Sequence, residues 1–565
     1  MALVAGCADA PPPAATDTSA TSDAPTSESD PSSASSTRAS ESESGLETET
    51  GTETGEDPPP PPPPPEAGFI ELEGLAYELG AGEDARAAQS DAARWFWAYQ
   101  GARNDVEGEA PVFVFFNGGP GVSSGMLMGF NVGEASFDPT ATGPDQSVVA
   151  NVAPWTELGH LIWIDARQTG FSYGLLDADP SETAHRSAAM SLDNFNSYRD
   201  AADFVRVLLR LLADRPELAA REVVLVAESY GGIRAQLMLD MLLDPEAYAD
   251  GSRPIRDLAL RDAIVDHHLG LGVDPDDPGA VAAQFGHQVL IQPALTGFVQ
   301  QDEAGALFEQ PGSILDDIAD ELGILYTPCA EQMGPCDPYD HALDFVLFEG
   351  RSPYDYRAPA TWLNDTFALV GARLNDSAAS EALLGVPLED LPEFRPPARA
   401  AQAWRAVNLG VFPTDEELGD WPQVAGPLEV WDRYFTPLNT EVLFEFRNAE
   451  ARALDIDPAD AHFGQRLLSN LVWVETLVTH AAYDIVIYTP SLPPALASYD
   501  TWVESVEVEA IGDTGDAQWR VHYRDELGVE GGERTIYAPY FEAGHAVSLD
   551  SPTALREAVG AWLEG

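Results

Sequence analysis

Ser229 stands in the run Ala227-Glu-Ser-Tyr-Gly-Gly232, between an apolar stretch, Val223 to Val226, and a helical pattern that continues through Leu243. A serine on a sharp strand-to-helix turn is a nucleophile elbow. The turn lifts the hydroxyl above the sheet and aims the helix N-terminus at negative charge developing beside it. It demands small residues because strand and helix backbones approach closely there, and Ala227 is the least costly substitute for glycine at its first position. Upstream, the strand-like run Pro111-Val-Phe-Val-Phe-Phe116 ends in Asn117-Gly118-Gly119-Pro120-Gly121. A tight turn accounts for one or two of these glycines. The whole run suits a loop whose backbone N–H groups converge on an oxyanion, together with the N–H that follows the nucleophile. Gly119 and Tyr230 are the expected donors.

A serine hydroxyl is a poor nucleophile until an imidazole takes its proton and a carboxylate fixes that imidazole's tautomer. On such a scaffold the chain order is serine, acid, histidine. Of the ten histidines, His545 is the last, in the loop Ala543-Gly-His-Ala-Val547 after the strand-like run Thr535-Ile-Tyr-Ala-Pro-Tyr-Phe541. Asp484, in Tyr483-Asp484-Ile-Val-Ile-Tyr-Thr-Pro490, lies 61 residues before it at an expected strand end and is the preferred acid. Asp500 is the fallback, and His480 is read as support for the loop.

These residues need a frame. Pro111 to Phe116 and Leu161-Ile-Trp-Ile164 have the continuous apolar texture of buried parallel strands. Ser197 to Ala213 reads as an amphipathic helix with Ala201, Val205, Leu208, Leu209 and Leu212 on one face. The order strand, helix, strand, turn, helix predicts an α/β fold with a mostly parallel central sheet. From about 300 to 465 the chain is Pro-rich and loop-rich, the texture of an inserted cap, and regular alternation resumes at Leu471.

Composition bounds the partners. The 565 residues include 29 basic residues, all arginine, against 94 acids, for a formal charge of −65. Such a chain repels phosphate backbones, so nucleic acid is not an expected partner. No apolar run approaches the eighteen or so residues of a membrane span. Residues 1–66 read as a leader and a Ser/Thr/Pro-rich acidic tether too poor in apolar side chains to fold. The tether closes on eight prolines, Pro58 to Pro65, a polyproline rod of about 25 Å. Leu3-Val4-Ala5-Gly6-Cys7 resembles a bacterial lipobox, which gives the expectation of an envelope protein lipid-anchored at Cys7, or a secreted one. Cys329 and Cys336 have six residues between them and could close a small disulfide loop in an oxidising compartment; two free thiols are the alternative. Neither HExxH nor a phosphate-binding loop is present, so no metal or organic cofactor is expected. Nothing in the sequence speaks to oligomeric state.

Four motifs now stand in order: Asn117-Gly-Gly-Pro-Gly-Val-Ser-Ser124, Asp165-Ala-Arg-Gln-Thr-Gly-Phe-Ser-Tyr173, Glu228-Ser-Tyr-Gly-Gly232 and Ala543-Gly-His-Ala-Val547. In order and rough spacing they resemble the serine carboxypeptidase family. Phe69-Ile-Glu-Leu with Arg94-Trp-Phe-Trp-Ala-Tyr99 resembles that family's N-terminal hairpin. The likeness runs from about residue 67 to the end, with the cap unmatched in detail. It implies an α/β-hydrolase fold and the release of C-terminal residues from peptides with a free C-terminus through an acyl-enzyme. It also implies that Asn117, Gly118 and Glu228 meet the substrate, with Asn117 and Glu228 holding its terminal carboxylate. A glutamate holds a carboxylate only when one of the two is protonated, which favours acid conditions.

The family's second glutamate falls on Asn131 here, which weakens or retunes the carboxylate site. Its usual cysteine after the glycine loop is Val122, and Arg167-Gln168 replaces a Pro-Val-Gly-like spacing. Rival readings on the same fold are an esterase or acyltransferase, which would dispense with carboxylate recognition, and an aminopeptidase, which the Glu-Ser-Tyr elbow disfavours. A non-catalytic surface lipoprotein is the rival from another class.

Overall fold

The computed structural model describes residues 64–565 except 80–84, 106–107, 120–121, 142–146, 168, 176–195, 276–277, 296–297, 333, 375, 395–469, 500–501, 513 and 525–530. Cys7, most of the tether, Pro120, Gly121, Gln168, Asp500 and the later part of the expected cap lie outside the described residues.

Among the described residues eleven strands form one sheet. They are β1 (Glu66–Leu72), β2 (Ala92–Gln100), β3 (Val112–Phe116), β4 (His160–Ile164), β5 (Tyr173–Leu175), β6 (Val223–Glu228), β7 (His287–Ile291), β8 (Glu475–Val478), β9 (Val503–Ile511), β10 (Asp516–Tyr523) and β11 (Gly532–Ala538). The spatial order is β1-β2-β4-β3-β6-β7-β8-β11-β10-β9, with β5 paired to β2. Neighbours from β4 through β11 run parallel. The two ends are antiparallel: β1 pairs with β2 in the register Phe69↔Phe96, and β9, β10 and β11 form a meander. This is the α/β-hydrolase fold, a mostly parallel sheet whose central strands are covered on both faces.

Period-two geometry divides each central strand between two cores. Val112, Val114 and Phe116 join Val223, Leu225 and Ala227 in one apolar cluster. Phe113, Phe115, Val224 and Val226 join Trp155 and Trp163 in the other. Helix α1 (Ser197–Ala213) lies on the first face and buries Ala201, Val205, Leu208 and Leu212. It starts where Asn196 accepts the backbone N–H of Arg199, an N-cap that satisfies one of the first turn's free donors. Helix α2 (Gly231–Leu243) leaves the end of β6 and packs beside it.

Between β7 and β8 the chain adds helices α3 (Phe298–Phe308), α4 (Ile314–Leu322) and α5 (Pro338–Phe348), then a hairpin of Arg351–Ser352 with Asp355–Pro359. They have a small core of their own, including Phe308, Ile318, Tyr339 and Val346. Ile485 and Val486, just after Asp484, belong to that core. Cys329 and Cys336 are joined as a disulfide between α4 and α5.

Candidate active site

Ser229 directly follows β6 and has a φ of 60°, left-handed backbone that a residue with a Cβ seldom adopts. The strain is held from both sides. Its N–H donates to the Ile291 carbonyl at 3.0 Å, and its carbonyl accepts from the N–H groups of Gly232 at 2.8 Å and Ala294 at 3.0 Å. The glycine loop leaves the neighbouring strand β3 and lies against this elbow. A Cβ on Gly118 would sit 2.4 Å from the Tyr230 nitrogen and 2.7 Å from the Glu228 carbonyl oxygen, so no larger residue fits without moving backbone. Gly119, Ser229 and Tyr230 all line one cleft.

The imidazole and the carboxylate come from loops beyond β11 and β8. His545 Nδ1 lies 2.7 Å from Asp484 Oδ2, with both side chains buried. That bond leaves Nε2 as the ring nitrogen free for proton transfer. Asp484 Oδ1 accepts the N–H groups of Val486 at 2.9 Å and Ile487 at 3.2 Å, while Oδ2 also accepts from Gln292 Nε2 at 3.0 Å. A carboxylate with four donors is fixed in orientation. Burial opposes a charge on His545, but the Asp484 carboxylate and its hydrogen bond, with Glu228 adding, hold its pKa above the ordinary value. The inserted hairpin braces both loops. The Tyr354 ring meets that of His545 edge-on at 5.2 Å, the Tyr354 carbonyl accepts the His545 N–H, and Ile485 N–H donates to Pro353.

Asn117 and Glu228 form a third group. Asn117 Nδ2 donates to Glu228 Oε1 at 2.8 Å, and Asn117 Oδ1 accepts from the Leu127 N–H at 3.2 Å. Burial pushes the Glu228 carboxyl up to about 7 against the opposing pull of His545 and the Asn117 amide, with Asp484 pushing the same way as burial. Glu228 and His545 are close enough to act on each other electrostatically. Asn131 stands apart. It is half-buried with a φ of 58°, and its N–H donates to Ser136 Oγ. Among the described residues no hydrogen bond joins it to Asn117 or Glu228. His480 is half-buried against the Tyr540 ring, and desolvation lowers its pKa to about 4.

The described residues that line the cleft beside Ser229 carry no charge. Tyr354, Ile487 and Tyr488 line it together with Gln300 and Gln301.

Three supporting residues have roles that no motif assigns. Arg234, 1% exposed on α2, donates to the Asn117 carbonyl and, through Nε, to Asp200 at 2.7 Å. Asp165 accepts from the Ser124 N–H and hydroxyl and from the Phe171 N–H, tying the segment after the glycine loop to the one after β4. Only glycine fits at 170, where φ is 50° and a Cβ would fall 2.1 Å from Asp165 Oδ2. Gln292 is the third, with the contacts given above. Arg234 leaves a sequence signal, a charge on a largely apolar helix that must have a partner. Arg167 donates to the Asp91 carbonyl and to Asp203 at 2.9 Å, so it braces the frame.

Residues 84–258 match the model of the serine carboxypeptidase family. Carboxypeptidase S1 of Penicillium janthinellum is 33% identical over 140 residues, which are 24% of this chain and 28% of that protein. Serine carboxypeptidase 3 of Triticum aestivum is 30% identical over 141 residues, 25% of this chain and 24% of that protein. The matches thus span about a quarter of these relatives' length. A prohormone-processing carboxypeptidase of Saccharomyces cerevisiae aligns over 89% of this chain and 92% of its own, with a TM-score of 0.49 and 14% identity.

The relatives named by these matches are fungal and plant proteins. This corrects the expectation of a lipid-anchored protein of the bacterial envelope. That expectation rested on five residues ending at Cys7, and a short run of small residues before a cysteine arises readily by chance.

Proposed function

We propose that this chain is a serine carboxypeptidase that releases C-terminal residues from peptides. Ser229 attacks the last peptide bond and His545 takes its proton through Nε2. Asp484 keeps His545 in the required tautomer and offsets the imidazolium charge that forms. The N–H groups of Gly119 and Tyr230 receive the oxyanion, a contribution of roughly a hundred- to a thousandfold in rate per donor. His545 then returns the proton to the leaving amine, and water resolves the acyl-enzyme by the same steps in reverse.

The single observation that carries the exopeptidase reading is the buried Asn117–Glu228 pair, with its carboxyl pushed up to about 7. A protonated glutamic acid can donate to a carboxylate, and a neutral amide beside it supplies a second donor. An esterase has no use for a buried carboxyl held in its acid form one residue before the nucleophile. The uncharged lining of the cleft supports neutral, largely apolar side chains on the substrate.

The test compares N-blocked dipeptides bearing a free C-terminus with their amides and with simple esters. Turnover of the free acids at least about tenfold above the amides is expected, as one charge-assisted hydrogen bond suffices for that factor. Equal turnover of acids and amides refutes carboxylate recognition, and ester-only turnover favours the esterase. Ser229→Ala should abolish all three activities, and activity surviving that change refutes the nucleophile.

A further inference from the structure

Gln292 follows β7 directly, is fully buried, and has a φ of 44°. Only Asn131 and Ser229 share left-handed backbone with it among the described non-glycine residues. Such strain in a residue with a Cβ persists only where the surroundings over-determine it. Here they do. Nε2 donates to Asp484 Oδ2 and to the Ile487 carbonyl, both at 3.0 Å. Oε1 accepts from the Ala481 N–H at 2.9 Å and from the hydroxyls of Thr489 at 3.2 Å and Thr479 at 3.3 Å. The same turn grips the nucleophile, since Ile291 accepts the Ser229 N–H and Ala294 donates to the Ser229 carbonyl.

We propose that Gln292 is a positioning residue of the relay, holding the Asp484 carboxylate in line with His545 from the turn that also fixes the backbone of Ser229. This rests on the reading of Ser229, Asp484 and His545 as the catalytic triad. Among the described residues, Asp484 Oδ1 is pinned by two backbone donors, while Oδ2, the oxygen that meets His545, has one other partner, the Gln292 amide. An amide suits this place because it donates without being able to take the proton. Its second bond, to Ile487, ties the acid to the wall of the substrate cleft.

The test uses the full chain with Gln292→Met, which keeps the length and removes the donor, and Gln292→Glu, which keeps the acceptor oxygen and replaces the donor. Two readouts are taken: kcat and KM on an N-blocked dipeptide, and the rate at which a fluorophosphonate labels Ser229. Gln292→Met should lower kcat and the labelling rate about ten- to a hundredfold, the usual effect of losing a hydrogen bond to a charged group, with KM nearly unchanged. In an Asp484→Ala background the same change should cost less than about threefold, because its partner is already gone. Equal losses in both backgrounds refute the proposal, since a packing role does not depend on the carboxylate.

Gln292→Glu gives a second reading that does not depend on how well Gln292→Met packs. A glutamic acid beside Asp484 has a raised pKa and can donate only while protonated. The activity of Gln292→Glu relative to wild type should therefore climb as pH falls from 8 to 5. A ratio that stays flat over that range refutes the proposal. If Asp484→Ala alone leaves kcat and labelling intact, the triad reading falls and this inference falls with it.

Discussion

Glu228→Gln isolates the ionisation that the site's electrostatics single out. Glu228 is buried and its carboxyl titrates at about 7, chiefly because burial penalises the charged form. Below that pH it is an acid that can donate to a peptide's terminal carboxylate, and above it two carboxylates face each other. At about 4 Å and an effective permittivity of about 20 their repulsion is about 4 kcal/mol, an upper figure of about a thousandfold in affinity. His545 titrates in the opposite sense for catalysis, because only the neutral imidazole accepts the serine proton. The wild-type kcat/KM on a free-acid dipeptide should therefore rise as His545 loses its proton and fall as Glu228 loses its own. Glutamine donates at every pH, so in Glu228→Gln the alkaline fall should disappear. The acid limb should move to lower pH, since the negative neighbour that helps raise the His545 pKa is gone. Profiles from pH 4.5 to 9 on the acid and on its amide read this directly, and the amide should show no Glu228-dependent fall. Stability gives an independent check. Between the ordinary carboxyl value of about 4.3 and about 7 the folded chain keeps a proton that the unfolded chain releases, so stability drops as pH rises, by on the order of 3 kcal/mol from this group. Denaturant unfolding at pH 5 and pH 8 should show a smaller drop in Glu228→Gln. A wild-type profile that stays level from pH 6 to 9, or a mutant that keeps the alkaline fall, refutes the reasoning.

Gly118→Ala should leave a folded protein with kcat lowered about a hundredfold or more, because the new methyl meets backbone at 2.4 Å and 2.7 Å and the loop carrying the Gly119 donor must shift. A kcat within about threefold of wild type would show that this loop does not shape the oxyanion site. Arg234→Met strands Asp200 and the Asn117 carbonyl, and unfolding in denaturant should record a loss of about 3 kcal/mol. Pairing it with Asp200→Asn should recover part of that loss, and an undiminished loss in the double variant contradicts the ion-pair account.

How much of this could be read beforehand depends on how local each cause is. The central strands are legible because Val112 to Phe116 and Val223 to Val226 are apolar without a break, which only a sheet covered on both faces explains. The elbow is legible because the cramped turn restricts residue type, and the restriction shows as small residues around Ser229 and Gly118. The closeness of Asp484 and His545 follows from chain order alone, since each lies just beyond a strand of the parallel sheet and those ends converge on one rim. Asn131 shows the limit of that reasoning. The family resemblance puts it where a second carboxyl would meet the substrate, but a left-handed residue at the end of a short helical turn leaves it with Ser136 as its partner.

Gln292 marks the opposite failure. Nothing distinguishes a glutamine after an apolar strand from a surface residue. Its meaning comes from the segments Thr479–Ala481 and Asp484–Thr489, far along the chain, which arrange donors and acceptors around it. Tyr354 is hidden for the same reason, lying in an insertion of loop-like texture that closes over the His545 and Asp484 loops. Local sequence thus carries the parts whose shape constrains their own residue types. The parts that aim those residues are assembled from distant segments, each of which is chemically unremarked until the others arrive.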